Sequence, residues 1–231
     1  MKINMGLLAL GASGSIGGMT ASRNRYGFYL RARTPPVNPN TSRQMQARAI
    51  FAAVANGWSA SATQAQRDAW QVYADAIVWK GALGLDCKLT GFAHFLRSGT
   101  SITHCQGAAV LDAPVILTLP ETDPTFACVV DEAGQELSIT FDNSLPWANE
   151  TGGYMLVSMS SPKGVGREFI GGPFRKAGNI AGVTGTPPTS PAVLDCPFPV
   201  AELQKVDCIA SIIRADGRVS QPFQHTSSVT A

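Results

Sequence analysis

From residue 114 onward the chain breaks into short alternating runs separated by turn residues, a rhythm that points to antiparallel β structure. The runs are Phe126–Val130, Glu136–Phe141, Gly153–Ser160, Gly166–Gly171, Ala192–Cys196, Asp207–Arg214 and Arg218–Phe223. Turns fall at 131–134, 161–164 and 215–217. Asp216-Gly217 between two alternating runs is a hairpin signal, because the tight hairpin turns require positive φ. Residues 185–191 hold three prolines, which lack the N–H a central strand needs, so this stretch reads as a surface loop. Seven short strands predict an antiparallel β-sandwich over residues 114–231.

Residues 41–110 follow the other period and predict a helical hairpin domain, so the chain is α+β in class. Thr41-x-x-Gln44 is a capping box that opens a helix to Asn56, with Ala47, Ile50, Phe51 and Val54 at helical spacing. Thr63-x-x-Gln66 is a second box, opening a helix through Trp79 with an inward stripe of Trp70, Tyr73, Ala74 and Ile77. Trp58, in the connector, is expected to pack between these two helices. A shorter third helix starts at Thr90 and carries Phe92, Phe95, Leu96 and Ile102.

Residues 1–40 form an extended Gly/Arg-rich arm. Gly6, Gly11, Gly14, Gly17 and Gly18 exclude a stable helix at its start. Arg23 to Arg33 reads as one strand, with Arg25, Gly27, Tyr29, Arg31 and Arg33 on one side and Tyr26, Phe28 and Leu30 on the other. Pro35, Pro36 and Pro39 end it. The arm is too small to bury its own apolar side.

Charge divides the chain in the same place. Residues 1–67 hold eight cations, seven of them Arg, and no Asp or Glu. Residues 68–231 hold ten cations against sixteen acids, a net charge of −6. Arginine suits bidentate contact with carboxylate or phosphate. The cations alternate with aromatic and apolar residues instead of forming a dense lysine run, so an acidic protein surface is favoured over nucleic acid. Charged residues make up only 15% of the chain, against roughly 25% in an average globular domain. Such a chain exposes neutral polar surface or is covered by neighbours.

No chemistry-bearing motif survives its context. The glycines of residues 11–18 lack the strand, helix and acid of a dinucleotide loop, since the first acid of the chain is Asp68. The spacing of Cys87, His94, His104 and Cys105 matches no zinc pattern. The five cysteines have unrelated spacings and read as reduced thiols. We therefore expect no catalytic residue, no cofactor, no metal and no disulfide. The apolar run Met5–Leu10 is too short for a membrane span or a secretory leader.

Two stretches resemble known families. Arg25-Tyr26-Gly27-x-Tyr29-x-Arg31-x-Arg33, Pro36-x-Asn38-Pro39-x-Thr41-x-x-Gln44, Arg48-x-x-Phe51, Trp58, Thr63-x-x-Gln66-Arg67-x-Ala69-Trp70 and Thr90-Gly91-x-x-x-Phe95 resemble a pattern of tailed-bacteriophage and prophage virion structural proteins. In that group a glycine-rich arm and a helical hairpin precede immunoglobulin-like domains. The pattern spans about residues 14–96; Ser61 or Ala62 stands where such sequences often carry Leu. Residues 207–220 are similar to the last two strands of fibronectin type III domains, with Asp207-Cys208 where those domains usually place a Tyr.

The resemblance implies a non-enzymatic virion protein made in the host bacterial cytoplasm, most simply a capsid cement or decoration protein. Its partners would be other virion chains, namely major capsid or neck and tail proteins and copies of itself, with no small-molecule substrate and no membrane. The contact residues would be Arg23, Arg25, Tyr26, Phe28, Tyr29, Leu30, Arg31 and Arg33. A neck or tail accessory protein is the alternative of the same class; a nucleic-acid-binding protein using the basic arm is the alternative of another.

Overall fold

Gly17 and Gly18 lie between two alternating runs, and there the chain doubles back. The computed structural model describes residues 14–24, 27–34, 37–80, 86–168 and 171–230, which fall into two compact units, residues 1–45 and 46–231. In the first unit β1 (Gly14–Ile16), β2 (Met19–Asn24) and β3 (Gly27–Ala32) form an antiparallel meander. Gly17 has φ +57°, which suits the β1–β2 turn. The segment expected to be one strand, Arg23 to Arg33, is instead a hairpin: Asn24 faces Gly27 and Arg23 faces Phe28 across the ladder. The fold-back gives the backbone N–H and C=O groups partners that a lone strand would lack.

Local rules explain the helices. α1 (Ser42–Asn56) opens at its expected box, where Thr41 N–H donates to Gln44 Oε1 (3.3 Å) and Gln44 N–H to Thr41 Oγ1 (3.4 Å). A π-helical turn, Gly57–Ser61, follows. α2 (Gln64–Ala76) carries the second box, with Thr63 N–H donating to Gln66 Oε1 at 2.8 Å and Gln66 N–H to Thr63 Oγ1 at 3.3 Å. It stops short of Trp79. Lys88 Nζ takes the Asp75 carbonyl (3.0 Å), and Trp79–Lys80 (β4) pairs with Asp86–Cys87 (β5). α3 (Gly91–His104) is longer than expected.

The packed helix pair is α2 and α3. A Cβ at Gly91 would stand 2.8 Å from the Gln71 nitrogen and 2.9 Å from the Trp70 carbonyl carbon, so only glycine lets the start of α3 approach α2 this closely. Val54, Trp70, Tyr73, Ile77 and Phe95 form the core of this region. Trp70 stands edge-on to Tyr73 and Phe95, with centroids 5.8 and 5.6 Å apart. Trp58 packs against this cluster of α1 and α2 side chains and also on Phe92 and Phe95 of α3.

The remaining strands are β6 (Ala127–Asp131), β7 (Glu136–Thr140), β8 (Tyr154–Ser160), β9 (Lys163–Gly164), β10 (Phe174–Ala181), β11 (Ala192–Asp195), β12 (Gln204–Ile213) and β13 (Phe223–Thr230). They make one sheet in the order β10-β8-β12-β13-β6-β7-β11, with β9 on β12. The expected all-antiparallel pairing fails at one seam, where β6 and β13 run parallel through Val130–Val229 and Asp131–Thr230. A parallel pair needs a long crossover, and here the whole intervening chain supplies it. The end strands β10 and β11 approach each other, so the sheet is nearly a closed barrel. Gly178, at a bulge in β10, makes room for this: a Cβ there would lie 2.8 Å from Leu194 Cδ2 of β11.

Two strand expectations are corrected. Residues 166–171 form no strand within their described part; pairing begins later, at Phe174. After the turn at Asp216-Gly217, Val219 makes only an isolated bridge to Ile213, and β13 starts at Phe223. Pro222 has no N–H to give a ladder there. The barrel core gathers Leu137, Ile139, Trp147, Met155, Val157, Met159, Val206 and Ile212, all at most 2% exposed. Ile102 of α3 and Cys105 just beyond it pack with Ile213 and Val219, and Arg97 Nη2 donates to the Ser220 carbonyl (2.9 Å), so α3 is fastened to the sheet.

Candidate interaction surface

Among the described residues the arm's sheet has three short strands and no second layer within its unit, so these strands fix backbone without enclosing a core. Tyr29 and Leu30 sit opposite Ser22 and Ala21 on β2 and are half-buried. Alternation sets Tyr29 and Arg31 on one face and Leu30 on the other. Arg31, opposite Thr20, and Arg33, beyond the strand, are exposed. Arg33 N–H donates to the Gly18 carbonyl (2.8 Å) and extends the ladder by one bond. Arg23 and Phe28 are partners in register, so the hairpin brings together two residues expected on one continuous strand. Arg25 and Tyr26 lie outside the described residues.

Helix α1 shows the same outward bias. Its expected inward stripe is only partly inward: Val54 is buried and Ile50 half-buried, but Ala47 is exposed and Phe51 is 53% exposed. Met45 is 53% exposed as well. Arg67, counted with the N-terminal cations, does not reach outward. It donates to the carbonyls of Trp58 (2.9 Å) and Ser59 (3.2 Å) and closes the π-helical turn.

Away from the arm, a cavity of about 240 Å³ is lined by Thr118, Glu121, Trp147, Arg214 and Arg218 among others. Arg218 pairs with Asp216 (2.7 Å) and Arg214 with Glu150, so carboxylates of the chain hold both guanidiniums. Between α2, α3 and the Asp216-Gly217 turn lies a polar group of Tyr73, His94, Arg97 and Ser98. Burial, then the Arg97 charge, lowers His94 to about 4. Burial lowers Arg97 to about 9 and raises Tyr73 to about 12. These shifts come first from desolvation, and His94 Nε2 and Ser98 Oγ have no hydrogen-bond partner. The group is a joint between helices and sheet.

No protein-family model and no curated protein sequence matches this chain.

One cluster escaped the sequence reading. Cys128 on β6, Cys208 on β12 and His225 on β13 meet in the barrel. Cys128 N–H donates to His225 Nδ1 (3.3 Å), which assigns the ring proton to Nε2, and Cys128 Sγ lies 3.4 Å from the same nitrogen. The neighbouring Cys208, more than His225, brings the Cys128 thiol down to about 7 against its burial. Cys128 and burial push Cys208 up. No spacing in the sequence signals the cluster; sheet register alone brings it together. Among the described residues no three His, Cys, Asp or Glu side chains converge as metal ligands, and no helix is long and apolar enough to cross a membrane. All five cysteines are free.

Proposed function

We propose that this chain is a non-enzymatic structural protein of a tailed-bacteriophage virion, a capsid cement or decoration protein whose N-terminal arm bridges to neighbouring subunits. The observation that carries the reading is the contrast between order and enclosure. The arm is hydrogen-bonded into a meander, yet Arg31 and Arg33 are exposed and, among the described residues, no apolar core cluster lies in its unit. A small isolated sheet is marginal in water. Fixing its backbone costs roughly 1–2 kcal/mol per residue, and a partner surface is the natural source of compensating burial.

Charge selects the kind of partner. Eight cations and no acid in residues 1–67 suit an acidic protein surface, and the net −6 of residues 68–231 makes another copy of this chain one such surface. The eight-stranded sheet serves as the projecting or bridging module. We read it as an immunoglobulin-like sandwich of the fibronectin type III kind. The strand order supports this: β6-β7-β11 form one group and β10-β8-β12-β13 the other, joined at the short parallel seam.

Deleting residues 2–34 tests the function. The truncated chain should keep its unfolding midpoint and fail to join particles when expressed beside the other virion proteins. Normal incorporation of the truncated chain overturns the reading.

A further inference from the structure

We propose that the outer face of β6, β7 and β11 receives the arm of a second copy of this chain, with Arg31 on a line of three carboxylates, Arg33 at its margin and Tyr29 on the valines beside it. The inference rests on the bridging role proposed above for the arm and names the surface it bridges to. Strand register builds that surface. Asp131 lies opposite Glu136, and Glu136 opposite Asp195, so three strands bring three acids into one line. Two residues along each strand, Val129, Ser138 and Val193 form the neighbouring line. Leu137 and Ile139 of β7 are buried in the core, so alternation turns both lines away from it. Val129 and Val193 are 52% and 56% exposed; Glu136 and Asp195 are exposed and Asp131 is half-buried.

Like charges directly opposite one another on a sheet destabilise it, so this line gains from a cation laid across it. Among the described residues no Lys or Arg forms a salt bridge with any of the three. Their field reaches the adjoining thiol: after burial, Asp195, Asp131 and Glu136 raise Cys196, to about 11. The surrounding sequence is the counterpart of the arm. Residues 98–162 hold eight Asp and Glu and no Lys or Arg, whereas residues 1–67 hold eight Lys and Arg and no Asp or Glu. A second copy therefore carries the complementary charge in one continuous segment. Spacing agrees with sign. Tyr29 and Arg31 share one face of β3 and are two residues apart, a step of roughly 6.8 Å, and the same step separates the valine line from the acid line. Two sheets packed face to face keep their strands nearly aligned, so Tyr29 meets the valines when Arg31 meets the acids. The Arg31 fork suits carboxylate oxygens, and the half-buried Tyr29 ring gains apolar cover.

The test follows self-association of the full chain by sedimentation velocity. At low salt the parent should associate, and raised salt should weaken the association about tenfold. Arg31→Glu with Arg33→Glu, and separately Glu136→Lys with Asp195→Lys, should each give a monomer. Mixed together, the two variants should associate again, because each supplies the charge the other has lost. All four positions are exposed, so the unfolding midpoints should match the parent's. A monomeric parent, association that survives Glu136→Lys with Asp195→Lys, or a mixture that stays monomeric would each overturn the site. An arm that closes on its own chain, or that needs a different protein, gives the first of these results. Particle incorporation separates this inference from the reading it rests on. If the chain lacking residues 2–34 stays off particles while the Glu136→Lys, Asp195→Lys chain joins them normally, the arm keeps its bridging role and this site alone is wrong.

Discussion

Strands β3 and β12 are both bonded to a neighbour along their length, yet they are stabilised differently. Along β12, Val206, Asp207, Cys208, Ala210, Ile212 and Ile213 are buried, and β8 and β13 flank the strand. Along β3, Tyr29 and Leu30 are half-buried and Arg31 and Ala32 exposed, and among the described residues β2 is its one neighbour. Hydrogen bonds hold both in shape, but a net bond contributes only about 1 kcal/mol, while burying one large aliphatic side chain contributes roughly 1.5–3 kcal/mol. The barrel carries its own stability. The described part of the arm shows strand pairing with less burial, and the proposal above has another surface complete it.

The sharpest way to break this comparison is to truncate one apolar side chain in each region. Ile139→Ala, at a site with no exposure, should lower the unfolding free energy by about 2–5 kcal/mol in a denaturant melt. Leu30→Ala should leave the same melt within about 0.5 kcal/mol of the parent. A large loss from Leu30→Ala in the isolated chain would mean that the arm is stabilised within its own chain.

The second probe is acid. His94 has its folded value lowered to about 4 by burial and by Arg97, against an unfolded value near 6.5. The unfolded chain therefore binds the extra proton between those limits. The stabilisation is complete above about pH 6.5 and is lost as pH falls toward 4, by about 2–3 kcal/mol. Burial and Lys176 lower His104 as well, so it acts with the same sign. Melts of the parent and His94→Gln at pH 7 and pH 5 should converge at the lower pH. Exchange protection of β3 should not follow His94, because that histidine belongs to the helix joint.

Next in size is the contact at the start of α3. Gly91→Ala places a methyl group 2.8 Å from backbone of α2, where no flexible side chain can give way. The loss should be about 1–3 kcal/mol. Gly18→Ala, with no atom within 4 Å of the added carbon, should change global stability little.

What the sequence made legible follows the range of each interaction. The boxes at Thr41 and Thr63 and the start at Thr90 depend on residues three apart, and all three helices begin where those residues predict. Trp70, Tyr73, Ala74 and Ile77 were readable as a buried stripe because their partners lie in the same chain. The stripe of α1 has the same spacing, but periodicity marks a face without telling whether the chain covers it. β10 was missed because Arg175, Lys176 and Asn179 interrupt its alternation and a bulge shifts its register between Lys176 and Gly178. β13 begins later than the alternation predicts, because Val219 and Ser220 alternate like a strand before Pro222 interrupts. The hairpin in the arm was hidden because the alternation of Arg and aromatic residues runs straight through its turn. The Cys128–Cys208–His225 cluster depends on sheet register over long separations, which no local pattern encodes.

The smallest expected effect makes the finest distinction, because one motif occurs in both settings. The boxes at Thr41 and Thr63 use the same four-residue pattern and the same reciprocal bonds. Removing either hydroxyl frees one helix N–H, at a cost of about 1 kcal/mol where that helix is part of the cooperative fold. α2 buries Trp70, Tyr73 and Ala74, so it cannot unwind without opening the core. Thr63→Ala should therefore lower global stability by about 1 kcal/mol. α1 buries Val54 alone, near its far end, so its first turns can fray while the core stays closed. Thr41→Ala should reduce helical circular dichroism and speed amide exchange at residues 44–48, with the melting midpoint unchanged. On a particle the two should become alike, since a partner lying on the first turns of α1 would couple them to a cooperative structure. If Thr41→Ala already shifts the midpoint of the isolated chain as far as Thr63→Ala does, α1 is held as firmly as α2, and the contrast between the self-sufficient barrel and a partner-completed N-terminal region fails there.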